Sequence, residues 1–227
     1  MKTLLASFVF VFLSLYQSNA QEDKITQELK AFREIKAFDG ISVNLIPARE
    51  NKAVISGANT NKVAIVNNNG VLKIRMEIDK IFSGYRTFVD IYFAQPLIII
   101  DVNEDARISS EEVFEQEVLE VKAQEGGEIQ LKARVEQFLV KCVTGGIIKA
   151  NGSSANQDVQ INTGGEYLGK SFSTEFSTVN VNAGSRAEIN ATKYVKATVK
   201  AGGQVLVFGD PEKMDERTVF GGKITRM

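Results

Sequence analysis

The 227-residue chain contains no histidine and no tryptophan, one cysteine and three prolines. Without imidazole there is no Ser-His-Asp triad, no Cys-His pair and no ordinary zinc site. A lone cysteine, Cys142, excludes an internal disulfide, so stability must come from packing. An excess of either charge is also missing: 27 Lys and Arg stand against 28 Asp and Glu, which leaves no basic footprint for nucleic acid. Long apolar runs are absent as well. The longest, Leu4 to Leu15, is shorter than the roughly 20 residues a membrane-spanning helix needs, so no transmembrane anchor is expected. At 44% hydrophobic and 24% charged residues, disordered and collagen-like chains are also ruled out.

That apolar run follows the cationic start Met1-Lys2-Thr3 and precedes Ser18-Asn19-Ala20, whose small residues suit a cleavage site. Residues 1–20 therefore read as a secretory signal peptide, with the mature chain starting at Gln21. Removing Lys2 leaves 26 basic and 28 acidic residues, a net charge of −2. The expected location is the periplasm, the cell surface or the medium.

What the chain has in abundance is glycine held in register. Gly126, Gly145, Gly164, Gly184, Gly202 and Gly221 are spaced by 19, 19, 20, 18 and 19 residues, and each is followed by a second glycine except at Ser185. Five residues before each of the first five glycines stand Val121, Val140, Val159, Val179 and Ala197, and three before stand Ala123, Cys142, Ile161, Val181 and Val199. Polar Lys122, Lys141, Gln160, Asn180 and Thr198 lie between them. Alternation with period two marks a half-buried strand. Beyond the glycines it resumes at Ile129, Ile148, Tyr167, Val205 and Ile224.

One such unit cannot bury its own inward face, but stacked units share a continuous core. The expected fold is all-β: a single-stranded, right-handed parallel β-helix, a solenoid with about 19 residues per coil in the C-terminal half. Glycine pairs suit its sharp corners, where chains pass closely. Leucine-rich, calcium-binding nonapeptide and hexapeptide repeats all fail on pattern, and a β-sandwich is the main rival.

Upstream the beat loosens. Residues 21–36 form a charged strap or cap, helical or extended, and residues 37–227 form the β-helix domain. Asn67-Asn68-Asn69-Gly70 predicts a turn between two strands. Ile100 and Val102 join the inward columns if Asp105 takes the place of a corner glycine, so the regular helix is expected to start there.

Phe32-Arg33-Glu34-Ile35, Phe38-Asp39-Gly40-Ile41-Ser42-Val43, Gly70-Val71-Leu72-Lys73-Ile74, the repeated glycine corners and Phe208-Gly209-Asp210-Pro211 together resemble the GIN-domain family (DUF2807) of auto-transporter adhesin heads. The resemblance covers nearly all the mature chain. It implies a pectin-lyase-like β-helix, an exported protein of Bacteroidetes, and a non-catalytic role in adhesion. The family often has Gly-Ser-Gly-Asp at the corner, where this chain mostly has Gly-Gly.

No catalytic, cofactor-binding or metal-ligating residue is assigned, and no cofactor is expected. Glu128 and Glu166 share an outward column two coils apart, about 10 Å at ordinary strand spacing, near the upper end of the separation an inverting glycosidase uses. Ile147 lies between them, however. Cys142 belongs to an inward column and has no histidine to activate it. Asp158, Asp210 and Asp215 form no dense ligand set. Asn151-Gly152-Ser153 and Asn190-Ala191-Thr192 match the glycosylation triplet, a common coincidence. Tyr85, Tyr92, Tyr167, Tyr194 and Phe82 could stack on sugars. The expected partner is an envelope or surface ligand, glycan or protein. Lys223 and Arg226 would guard the last strand edge, which could otherwise pair with a second copy. The rival function is a polysaccharide lyase or hydrolase on the same scaffold.

Overall fold

The computed structural model describes residues 24–227; the export signal read at residues 1–20 lies outside them. The fold is a β-solenoid built on one repeated corner. At Val143-Thr144-Gly145-Gly146, Thr144 and Gly145 have φ of +48° and +74°, and the Gly146 N–H donates to the Val143 carbonyl at 3.0 Å. Two successive left-handed residues closed by that bond match the turn that best joins twisted strands. The same left-handed pair occurs at Asp39-Gly40, Glu104-Asp105, Glu125-Gly126, Thr163-Gly164, Ala183-Gly184, Ala201-Gly202 and Phe220-Gly221. Eight stacked corners make about seven turns.

The two glycines of a corner answer different needs. The first supplies the positive φ. The second has ordinary φ, but a Cβ on Gly146 would lie 2.1 Å from the Ala123 carbonyl oxygen of the preceding coil. Between coils the corners form a hydrogen-bonded spine: Gly126 N–H to Thr144 O at 3.2 Å, Gly145 to Thr163 at 3.1 Å, Gly164 to Ala183 at 3.1 Å and Gly184 to Ala201 at 3.0 Å.

The charged segment contributes strands, not a helix: β1 (Ile25–Glu28) and β2 (Glu34–Ala37). The first corner follows at once, since Ile41 N–H donates to Phe38 O and Gly40 N–H to Glu104 O. The helix thus begins one coil earlier than the glycine beat suggests, at Phe38-Asp39-Gly40-Ile41. From there β3 (Ser42–Pro47), β4 (Lys52–Gly57), β5 (Val63–Asn68), β6 (Val71–Met76), β7 (Thr87–Phe93) and β8 (Ile99–Val102) extend the two faces of this first coil. One flap runs β3-β7-β4-β1, with β4 antiparallel to both neighbours. The other runs β8-β2-β6-β5 and ends in an antiparallel hairpin turned by Asn69 and Gly70. Asp105 fills a corner as expected, and Ile100 and Val102 stack on Val121 and Ala123.

Each later coil is one long bent strand: β9 (Arg107–Ala123), β10 (Glu128–Cys142), β11 (Ile147–Ile161), β12 (Glu166–Val181) and β13 (Arg186–Lys200). All neighbours are parallel. The 18-to-21-residue variation between coils is absorbed at the far bend, where register shifts fall at Gln130/Lys132, Lys149/Gly152, Leu168/Ser173 and Thr174/Phe176. The corners stay in step.

Val140, Val159 and Val179 pair in register, and all are buried. Each such side chain contributes roughly 1.5–3 kcal/mol. Toward the far bend Phe138 stacks on Phe172 with ring centroids 4.5 Å apart. Tyr167, fully buried, takes the space over Gly169, where a Cβ would fall 2.4 Å from its ring. The last coil comprises β14 (Gln204–Phe208), β15 (Lys213–Val219) and β16 (Lys223–Arg226). Its inward columns turn polar: Glu216 lies beneath Ala197 and Arg226 beneath Val207, and the two form an ion pair at 3.4 Å. Arg226 and Glu216 thus stand in register with inward columns yet stay exposed at this last coil, as does Lys223 beside Gln204.

Candidate functional site

The outward carboxylates singled out by spacing are held in ion pairs along the coils. Register places Glu128, Ile147 and Glu166 on three successive coils. Glu128 accepts from Lys149 Nζ at 2.5 Å and lies 3.6 Å from Arg107 Nε. Glu166 lies 3.9 Å from Arg186 Nε, within Coulombic reach but beyond a hydrogen bond, and Arg186 is held at 2.6 Å by Glu188. The two carboxylates do not converge on a common point.

Cys142 is buried, its thiol 3.4 Å from the Glu166 carbonyl oxygen, and burial pushes its pKa up, away from the thiolate. Asp158 and Asp215 share one outward column but are three coils apart, about 14 Å. Asp210 sits at a left-handed position after Gly209. Asn151 lies at the far bend, and the Asn190 side-chain amide donates to Lys170 O.

The aromatic candidates scatter. Tyr167 is in the core, where its hydroxyl accepts from Gln157 Nε2 at 2.6 Å and burial raises its pKa. Tyr85 donates to Asp105 at 3.0 Å, and Lys52 lies over Tyr92 at 4.7 Å. Phe82 is exposed in a left-handed conformation, its N–H donated to the buried Asp39 carboxylate, which also accepts from Met76. Tyr194 lines a groove.

That groove, about 570 Å³, crosses five coils on the outer face leading from the far bend. Its floor is a single outward column, Val118, Gln137, Asn156, Phe176 and Tyr194, in mutual register on β9 to β13. Glu117, Glu136 and Asp158 line its sides. Phe176 is 42% exposed, and the Tyr194 hydroxyl donates to Asp215 at 2.6 Å, an acceptor that raises its pKa. Beneath the floor, buried Ser177 donates to Gln157 Oε1 at 3.3 Å, and Gln157 in turn holds Tyr167. The groove is thus a rigid strip of aromatic and carboxamide side chains flanked by carboxylates. Sequence reasoning missed Phe176, although it stands eight residues before Gly184 as Tyr194 stands eight before Gly202. Reading the columns three residues further upstream would have aligned the whole floor.

The family profile described as "Putative auto-transporter adhesin, head GIN domain" matches residues 31–211. The chain belongs to this GIN-domain family. The matched stretch runs from just before the first corner, Phe38 to Ile41, to the end of the Phe208-Gly209-Asp210-Pro211 motif. Solved structures share the GIN-domain architecture at low sequence identity. A protein from Bacteroides fragilis NCTC 9343 described as a putative adhesin superposes with a TM-score of 0.84 at 14% identity, covering 92% of this chain and 98% of that one. A putative adhesin from Parabacteroides distasonis ATCC 8503 gives 0.74 at 14% identity over 92% and 98%. A protein from the same organism described as a putative lipid binding protein gives 0.69 at 12% identity over 92% and 98%. Among curated proteins no match is found.

Proposed function

We propose that this GIN domain is a non-catalytic, exported module of the cell envelope that attaches to a surface ligand through the outer face of its solenoid. The observation that carries this reading is the five-coil groove, whose floor is kept in register by the strand pairing itself. The state of the reactive side chains also favours binding over chemistry: Glu128 is held in an ion pair and the Cys142 thiol is buried. Export rests on the signal read at residues 1–20, with the mature protein starting at Gln21; within the charged strap that follows, β1 and β2 feed the N-terminal flaps of the helix domain.

Four measurements test the proposal. Protease shaving of intact cells, followed by blotting, is expected to remove the protein, and mass spectrometry to find Gln21 at its N-terminus. Beads coated with the mature chain are expected to be retained on cells or matrix, and a glycan panel incubated with the chain to come back uncut. Cleavage lost in Glu128→Gln or Glu166→Gln would replace this reading with a lyase or hydrolase.

A further inference from the structure

We propose that the groove on β9 to β13 binds a neutral glycan laid along the solenoid axis, one sugar to a coil; this rests on reading the protein as a surface-binding module. The floor repeats at the coil rise, about 4.8 Å, which is close to the length of one pyranose unit in an extended chain. At that repeat it offers what a sugar needs. Phe176 and Tyr194 on adjacent coils present ring surface to the C–H face of a pyranose. Gln137 and Asn156, paired on the two preceding coils, offer both donors and acceptors to hydroxyls.

Charge narrows the class further. Carboxylates around the groove are paired, Glu115 with Arg134, Glu120 with Lys141 and Glu175 with Lys193. Among the described residues, the groove's own Glu117, Glu136 and Asp158 have no cation within ion-pairing distance. Unpaired carboxylates accept well from hydroxyls, and they repel a polyuronate. A basic peptide fits less well, because it would meet like charge beside the rings: Lys193 Nζ lies 5.6 Å from the Phe176 centroid and Lys213 Nζ 5.8 Å from that of Tyr194. Rigid strands hold the floor, so little order is lost on binding.

The test uses the mature chain with a length series of neutral gluco- and manno-oligosaccharides, polygalacturonate and poly-lysine, followed by calorimetry. At least one neutral series should bind, tightening with length until the ligand spans the coils from Val118 to Tyr194 and levelling off beyond. Phe176→Ala and Tyr194→Ala should each weaken binding about tenfold. A Gln137→Ala, Asn156→Ala double variant should do the same through exposed side chains outside the buried core, and circular dichroism confirms the fold of each. The proposal is overturned if no neutral series binds, if poly-lysine or polygalacturonate binds instead, or if all three variants bind as the parent does. Coated beads that adhere regardless of Phe176→Ala, with no oligosaccharide binding, sink the glycan proposal and leave adhesion standing. Oligosaccharide binding without bead retention does the reverse.

Discussion

Single side chains carry two tests of how the core and the corners work. Cys142 is sealed between coils, with its thiol kept protonated by burial, so a thiol reagent should label it only as fast as the solenoid opens. Labelling that is rapid in buffer and unchanged by denaturant would contradict the inward column. Glu104 sits at the left-handed position of a corner, with Asp39 above it and Glu125 below. Its pKa is raised, first by burial and then by the Asp39 carboxylate. A carboxyl whose folded pKa exceeds its unfolded one contributes stability that is complete below the unfolded value and is lost as pH rises through the folded one. The ordinary value is 4.5, so the loss begins just above it. Glu104→Gln, which cannot ionise, should therefore raise the melting temperature at about pH 7 and change little at about pH 4. A variant melting lower than the parent at neutral pH would show that the charge is better solvated than its neighbours imply.

Strands and corners were the part most open to sequence reasoning, because a repeat turns a local pattern into a global constraint. The column of Val140, Val159 and Val179 and the corner at Asp105 follow from counting, since packing enforces equal steps between coils. The corner at Asp39-Gly40 escaped because residues 42–102 separate it from the next, and its cue is Asp-Gly, not Gly-Gly. The groove floor escaped for another reason. Its column is outward, so nothing requires its residues to be alike, and Val118, Gln137, Asn156, Phe176 and Tyr194 share no chemistry that a pattern could catch. The corner also makes a prediction that counting glycines does not. Gly145→Ala meets no atom within 4 Å but must hold a left-handed φ, at a cost of about 1–2 kcal/mol. Gly146→Ala must push its Cβ away from the Ala123 carbonyl and should cost clearly more, about 3 kcal/mol or above. Urea denaturation of both variants ranks them, and equal losses would mean that φ alone selects glycine. At Ser185 the fold tolerates a side chain there but leaves its hydroxyl buried without a partner.

For the molecule as a whole, the two ends are finished differently. The N-terminal end spreads into flaps closed by antiparallel strands β1 and β5. The C-terminal end keeps an open edge, and its inward Glu216 and Arg226 make that edge a poor platform for another coil. Sedimentation at high concentration should therefore show a monomer. Replacing both residues by valine continues the apolar columns to the last coil and should produce end-to-end dimers or fibres. If the double variant stays monomeric, the exposed Phe220 corner or the Lys223 side chain is enough to blunt the end.

Because one chain winds every coil, a pull on the C-terminus shears no interface all at once; it unreels the outermost loop before the next can move. Each loop set free lengthens the tether by about 65 Å, some nineteen residues at extended length. A solenoid fixed near its N-terminal flaps would thus yield to load in nearly equal steps, a shock absorber whose unit of travel is the spacing of its glycines.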